Sequence, residues 1–273
     1  MMQDIKKTGS EQLPIPETEI DRYMRRMTRR SFGWGAAGAL IGLGGWGWIV
    51  TRPNDQGIPW PLRRMLELNE KIGRTMFDPS RLAPTFPLSM AGKPRANGNL
   101  GLGNDFDPQS WKLKVTSVLS EGKPHEFSIQ EIRGLPHVEI VTELKCVEGW
   151  SQVVRWGGAR LSDFAAKYGF IRRSDSQGES ASQGKQVAYV SLQTPDGGYY
   201  VGIDLESALH PQTLLCYEMN GAELTPEHGA PLRLVTPLKY GIKHIKRIGS
   251  IDFTNVRPTD YWAERGYDWY AGH

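Results

Sequence analysis

The chain has 273 residues, 39% of them hydrophobic and 23% charged, which suits a globular protein of one large domain or two small ones. A net charge of +3 gives no case for a nucleic-acid partner. The two cysteines, Cys146 and Cys216, form no C-x-x-C, which excludes a zinc ribbon, a thioredoxin motif and covalent c-type haem; one disulfide between them stays open in an oxidising compartment, although their surroundings suggest different jobs.

Residues 1–30 are polar, with several prolines and no clear period. Thr28-Arg29-Arg30-Ser31-Phe32 then opens an uncharged stretch, 31–51, that holds seven glycines and Trp34, Trp46 and Trp48 and ends at Arg52-Pro53. A twin arginine before a mildly apolar, Gly-rich run resembles a twin-arginine export signal, a route that carries folded proteins with cofactors in place. About 18–21 uncharged residues also suffice to span a bilayer, and no A-x-A cleavage site follows. The overlapping alternative is therefore an uncleaved anchor that holds the domain on the outer face of a membrane. Residues 52–78 form a linker with one helix. Leu62, Met65, Leu66, Ile72 and Met76 recur at helical spacing behind Pro61, predicting a helix over 61–76 that lies against the domain or links it to the anchor. Residues 77–110 are rich in Pro, Gly and Asn without a period, a stretch that a compact domain rarely tolerates unless it is functional.

Strand signals begin at Trp111, where Trp111, Leu113 and Val115 alternate with polar residues; Val138, Ile140, Thr142 and Leu144 repeat the pattern and lead directly into Cys146. Leu161–Tyr168 reads as a short helix with Ser162 as its N-cap and Gly169 as its stop. Ser174–Gly184 is polar and of low complexity, a surface loop. Val187–Leu192 and Tyr199–Ile203 are strands around a Pro195-Asp196-Gly197 turn. Asp204–His210 is a short helix stopped by Pro211, and Leu214–Met219 is a strand closed by a strong Asn220-Gly221 hairpin turn. Leu232–Val235 and Ile248–Phe253 are the last strands. The fold class is therefore mixed α+β and strand-rich over 79–273, preceded by an N-terminal signal or anchor helix. Gly98–Gly103 has glycine spacing but no preceding strand or following helix, so it is not a nucleotide loop.

A thiolate at Cys146 would be a soft ligand for a transition metal, and Lys145 beside it would favour ionisation; on residue type alone, a lone cysteine is more often structural. Leu144-Lys145-Cys146, followed by Trp150 and by Trp156-Gly157-Gly158 and Leu161, resembles the molybdenum-binding segment of the sulfite oxidase-type molybdopterin oxidoreductase family. Cys146-Val147-Glu148-Gly149-Trp150-Ser151 is closest to its periplasmic methionine-sulfoxide reductase branch. A second block, from His210-Pro211 through Asn220-Gly221 to His228-Gly229-Ala230-Pro231-Leu232-Arg233 and the basic run Lys239, Lys243, His244, Lys246 and Arg247, is also similar to that family.

The resemblance implies a molybdopterin cofactor with Cys146 as metal ligand and catalytic centre. It also implies cofactor contacts from Asn97, Ser191, His228, Arg233, His244, Ile245 and Lys246. Arg suits a phosphate bidentately and Lys supplies a point charge. Glu148 reads as a solvent-facing carboxylate, with proton delivery as the lesser alternative. The implied reaction is oxygen-atom transfer, namely reduction of a free or protein-bound oxide resembling methionine sulfoxide. A membrane-bound haem subunit fed by quinol would supply electrons, and the catalytic domain would be monomeric. Two alternatives stand beside it. One is oxidation of sulfite or another small anion, which needs a positive pocket to which Arg155 would contribute. The other is a non-catalytic anchored scaffold on the same fold. The nine Trp and ten Tyr suit an aromatic core or cofactor cleft, and Cys216, in Leu214-Leu215-Cys216-Tyr217, reads as core.

Overall fold

A computed structural model describes residues 19–103, 106–120, 123–172 and 186–273; the loop expected over 174–184 lies outside them. The chain divides into two compact units, Met1–Pro53 and Asn54–His273. The described part of the first is one helix, α1 (Glu19–Val50), whose apolar half carries the seven glycines. Glycine contributes no apolar side chain, and the N-terminal half is rich in arginine. Among the described residues no helix is long and apolar enough to cross a membrane.

The second unit opens with a small hairpin, β1 (Asn54–Asp55) and β2 (Ile58–Pro59), turned by Gln56 and Gly57 at positive φ. Helix α2 (Trp60–Thr75) follows, with Pro61 in its first turn where the missing N–H costs nothing. It lies against the unit and is held by polar as well as apolar contacts. The buried Arg63 guanidinium donates to the carbonyls of Gln56 (2.7 Å), Ala263 (2.6 Å) and Tyr267 (2.9 Å), and Glu70 accepts from Arg257 at 2.6 Å.

Two five-stranded sheets form the body. Their elements in chain order are β3 (Leu113–Ser117), β4 (His125–Phe127), α3 (Ile129–Arg133), β5 (His137–Lys145), β6 (Ser151–Arg160), α4 (Leu161–Lys167), β7 (Tyr189–Gln193), β8 (Tyr200–Asp204), α5 (Leu205–Ala208), β9 (Leu214–Met219), β10 (Ala222–Glu223), β11 (Arg233–Val235) and β12 (Ser250–Thr254). One sheet runs β4-β3-β12-β7-β8, with β3 and β12 parallel and the other pairs antiparallel. The other runs β10-β9-β6-β5, with β11 also paired to β9. Leu113 and Val115 of β3, Val190 and Leu192 of β7 and Ile251 and Phe253 of β12 point inward at alternate positions. They build the main core together with Phe127, Phe164 and Phe170. A smaller core under the second sheet holds Leu144, Val154, Trp156 and Cys216.

The expected strands recur within a few residues. The Asn220-Gly221 turn joins β9 to β10 with both residues at positive φ, as a two-residue hairpin requires. Two of the departures from the expectations bear on the site's frame. Strand β6, the longest, was not read from sequence, because Gly157-Gly158 looks like a breaker. A Cβ on Gly158 would stand 2.3 Å from the Leu215 carbonyl oxygen, so the glycine is what lets β9 approach, at a register shift between Gly157 and Gly158. Ser162 does not cap α4. Strand β6 runs straight into the helix, the N-cap is Arg160, and no side chain caps it.

Candidate active site

Cys146 follows the last residue of β5 and begins the five-residue connection to β6. Its amide donates to the Trp150 carbonyl at 2.9 Å and its carbonyl accepts from Gly149 at 3.1 Å, with Gly149 at φ 87°. The sulfur is thus carried at a hairpin tip on the two most extensively paired strands of the sheet. Opposite, Gly241 approaches within ordinary contact of the Lys145 carbonyl, at 3.4 Å from the position its Cβ would take. Between these segments lies a cavity of about 360 Å³ that Cys146 lines, within the size range of small-ligand sites.

Five of the other expected site residues line the same cavity: Asn97, His228, Arg233, His244 and Lys246. The unpatterned stretch before Trp111 supplies Asn97. It runs along the second sheet, where Phe86 N donates to the Val141 carbonyl and Arg95 N to Gln152 Oε1 at 2.9 Å. Lys246 Nζ then fastens it, donating to the carbonyls of Asn97 (2.8 Å) and Gly98 (3.0 Å), and reaches Glu227 O at 2.8 Å. Gly229, at φ 97°, lets the His228 turn press on the following segment; a Cβ there would stand 2.7 Å from Lys246 Cβ.

Arg233 is buried. Its terminal nitrogens donate to the carbonyls of His228 (3.1 Å) and His244 (3.3 Å), and its guanidinium lies 4.9 Å from the Trp156 ring centre. His244 Nε2 meets the Thr236 carbonyl at 2.9 Å, so that nitrogen carries the hydrogen and Nδ1 is a bare acceptor in the neutral ring. Burial, and then the Arg233 charge, push His244 down to about 3, so the ring is neutral at ordinary pH. Burial lowers Arg233 to about 10 and Lys246 to about 8, with Arg233 adding to the Lys246 effect. His228 is lowered by burial and by both cations.

Among the described residues, three buried polar atoms on this cavity's lining find no hydrogen-bond partner: Trp156 Nε1, Arg233 Nε and His244 Nδ1. Among the described residues, no carboxylate lies in ion-pair distance of Arg233 or Lys246. Buried polar atoms without partners are rare and costly, and a buried cation without a counter-ion more so. The lining therefore matches a guest that is anionic and offers both hydrogen-bond donors and acceptors, as a phosphorylated pterin does, with a soft sulfur ligand at one end for a metal.

The structure departs from the expected site in four places. Ser191 lies in β7, paired with Gly202 and Asp252, and does not line the cavity. Ile245 is fully buried in the main core, and its backbone N–H and carbonyl are already bonded to Lys243 and Leu234. Arg155 pairs with Glu139 at 2.6 Å and also lies off the cavity, so it builds no positive pocket there. Lys145 is not among the main charges acting on Cys146. Burial pushes that thiol up and the Glu148 charge adds to the rise, while the Glu148 backbone amide and the Arg95 charge oppose it; a metal bound at the sulfur would favour the thiolate. Cys216 is a free, buried thiol whose Sγ contacts the Glu218 carbonyl at 3.0 Å, the core role expected of it.

Tyr199, Trp262 and Tyr267 supply aromatic walls that the sequence did not single out, their only advance signal being the aromatic richness of the chain; Trp156, known beforehand only as part of the family motif, joins them. On the rim, Glu148 Oε2 accepts from Trp150 Nε1 at 2.9 Å and lies 3.5 Å from Asn97 Nδ2, while Arg95 sits 4.7 Å over the Trp150 ring.

A family described as oxidoreductase molybdopterin binding domain matches residues 100–262. A protein of Azospira oryzae, provisionally named protein-methionine-sulfoxide reductase subunit YedZ1, is 32% identical over 93% of this chain and 91% of its own length. The protein-methionine-sulfoxide reductase catalytic subunit MsrP of Campylobacter jejuni is 34% identical over 63% of this chain and 59% of its own length. The MsrP of Ralstonia nicotianae is 27% identical over 94% of this chain and 78% of its own length.

Proposed function

Since the chain belongs to the oxidoreductase molybdopterin-binding family, we propose that it is a molybdopterin-dependent enzyme that reduces a sulfoxide of the methionine-sulfoxide kind, with Cys146 as the metal ligand. One observation carries the reading: Cys146 opens onto the same cavity as three partnerless polar atoms and a buried arginine without a counter-ion. The names of the relatives supply the substrate class.

When bound, the cofactor supplies two-electron oxygen-atom-transfer chemistry that turns a sulfoxide into a thioether, with the oxygen leaving as water. The chain holds and orients it. Arg233 and Lys246 offset its phosphate charge, and Arg233 keeps Nε free for a further hydrogen bond after its other contacts are made. His244 Nδ1 would accept one hydrogen bond from the bound cofactor and Trp156 Nε1 would donate one. Asn97 and His228 close the polar wall, and the aromatic residues exclude water from it. Cys146 is held at a hairpin tip that does not have to move. Glu148, fixed by Trp150, stands at the rim, where a carboxylate can hand protons between solvent and the cavity.

Oxidation of a small anion is the weaker reading, because the positive pocket it requires lacks Arg155. We further assign the N-terminal 51 residues an address role: the twin arginine of Thr28-Arg29-Arg30-Ser31-Phe32 directs export, and the domain works outside the cytoplasm. The relatives' designation as a catalytic subunit fits a separate electron donor, a membrane-bound haem protein fed by quinol.

The test is molybdenum content by elemental mass spectrometry on protein made with its export route intact, joined to a methionine-sulfoxide assay with reduced dye. Wild type is expected to hold close to one molybdenum per chain and to reduce the sulfoxide. Cys146→Ser is expected to lose the activity by at least about a thousandfold, the scale set by losing an essential catalytic group. Well-folded wild type without molybdenum or pterin would end this reading.

A further inference from the structure

On the outer face of the second sheet, three metal-ligating side chains meet over a glycine. In the pairing of β5, β6 and β9, Glu139 stands opposite Gly157, and Gly157 stands opposite Glu218. Directly opposed residues of antiparallel strands point to the same face, and so do residues two apart on one strand. His137 and Glu139 therefore share that face with Glu218, and the middle strand places no side chain between them. One ligand atom from each of the three residues lies within 4.8 Å of the others. His137 Nε2 is 3.1 Å from Glu218 Oε2.

The glycine is what lets the two side chains lie over the middle strand. A Cβ there would stand 2.7 Å from Glu218 Oε2 and 3.2 Å from His137 Nε2, so even alanine would push them aside. Two ligands of a tetrahedral zinc ion, each about 2.0–2.2 Å from it, are roughly 3.3 Å apart, close to the His137–Glu218 separation. We propose that His137, Glu139 and Glu218 form a divalent transition-metal site on the outer face of this sheet, separate from the cavity of Cys146. One imidazole and two carboxylates suit Zn²⁺ among the borderline ions. The exposure of His137 (44%) and Glu139 (40%) leaves solvent access for a water as fourth ligand.

The neighbouring charges define how the site is tuned. Arg155 holds Glu139 by one oxygen at 2.6 Å, leaving the other carboxylate oxygen for the ion and weakening its donation. Arg155 thus competes with the metal. An ion held here straps the edge strand β5 to β9 across β6, and β5 is the strand that delivers Cys146. Occupancy would stiffen the sheet that presents the sulfur ligand without touching the reacting atoms.

Zn²⁺ titration by calorimetry on the molybdenum-loaded protein tests the site, with thermal unfolding as a second readout. Wild type is expected to bind one Zn²⁺ and to unfold at higher temperature with it. His137→Ala and Glu218→Gln should lose that binding by more than the roughly 10–100-fold typical of losing a supporting partner. Gly157→Ala, whose methyl would displace Glu218 and His137, should weaken it as well, and Arg155→Met should tighten it. Absence of zinc binding by wild type, or binding unchanged in His137→Ala, would overturn the site. Neither result bears on the molybdenum content or the sulfoxide reduction measured above.

Discussion

Arg233 and the basic run Lys239 to Arg247 supply buried and half-buried cations to two regions that treat charge in opposite ways. Lys239 and Lys243 are 2% and 1% exposed, and each has a carboxylate of its own: Asp204 at 3.1 Å and Asp260 at 2.6 Å. Aromatic rings cover them, Tyr270 lying 3.0 Å from Lys239 and Trp269 4.8 Å from Lys243. Asp260 also accepts from the backbone amides of Gly202, Trp262 and Ala263, and Asp204 caps α5. Burial alone would raise Asp204, but Lys239 and Ser207 hold it below the ordinary carboxylate range. Around the cavity, Arg233 and Lys246 meet carbonyls and, for Arg233, the Trp156 ring, with no carboxylate in ion-pair distance among the described residues. Charge that brings its own counter-ion is architecture, tying the C-terminal segment to the first sheet. Charge buried without one is held ready for an anion from outside.

Breaking the first kind is expected to have the largest effect on stability. Lys243→Met leaves the Asp260 carboxylate buried beside no cation, and removing one partner of a buried pair costs about 3–5 kcal/mol. The urea midpoint of cofactor-free protein should fall accordingly. A change under about 1 kcal/mol, the scale of an exposed pair, would mean that Lys243 is no more than a covered surface charge.

Arg233→Met sharpens the contrast from the other side. In cofactor-free protein it removes a buried charge that has no counter-ion, so stability should hold or rise. With cofactor the sign reverses. Losing a buried charged contact to a bound anion costs at least about 2 kcal/mol, close to thirtyfold in affinity. Cofactor retained after prolonged dialysis, measured as molybdenum per chain, should drop, and the unfolding temperature gained on loading should shrink. A variant that destabilises the empty protein by several kcal/mol while retaining cofactor would make Arg233 a structural residue like Lys243.

This division was not legible in the sequence, although much around it was. Alternation announced β3 and β5, apolar runs beside turn signals announced β7, β8 and β9, and Asn220-Gly221 announced its hairpin. Cys146 was found because an alternating strand ends at it and a family pattern surrounds it. The basic run could be recognised only as one cluster. Its sorting depends on Asp204 and Asp260, which come from elsewhere in the chain and meet the lysines only when β8 and the C-terminal segment close over them. Strand β6 was hidden for a related reason: glycine looks like a breaker until the neighbour that needs its space is known. Ser191 and Ile245 failed to reach the cavity because a motif position fixes a residue's place in the chain, whereas the facing of β7 and the packing of the core decide where its side chain goes.

The mildest test of the comparison is pH. His244 belongs to the cavity, and protonating it would place a second unpaired charge beside Arg233. Its folded value of about 3 lies below the ordinary histidine value near 6.5, so the unfolded chain binds the extra proton first. The stability His244 contributes as a neutral ring is fully present above about pH 6.5 and is lost as pH falls toward 3, by roughly 1.4 kcal/mol per pH unit. Burial lowers His210, His228 and His273 in the same direction, so acid should weaken the fold through several groups. His244→Asn cannot take up that proton. Its urea midpoints between pH 6 and 4 should give a slope shallower than wild type by about one proton, roughly 1.4 kcal/mol per unit. In loaded protein the difference should be smaller, because an anion beside Arg233 makes a charged ring at His244 less costly. Equal slopes in the two empty proteins would mean that His244 is not held neutral by its burial, and the cavity would lose its acceptor.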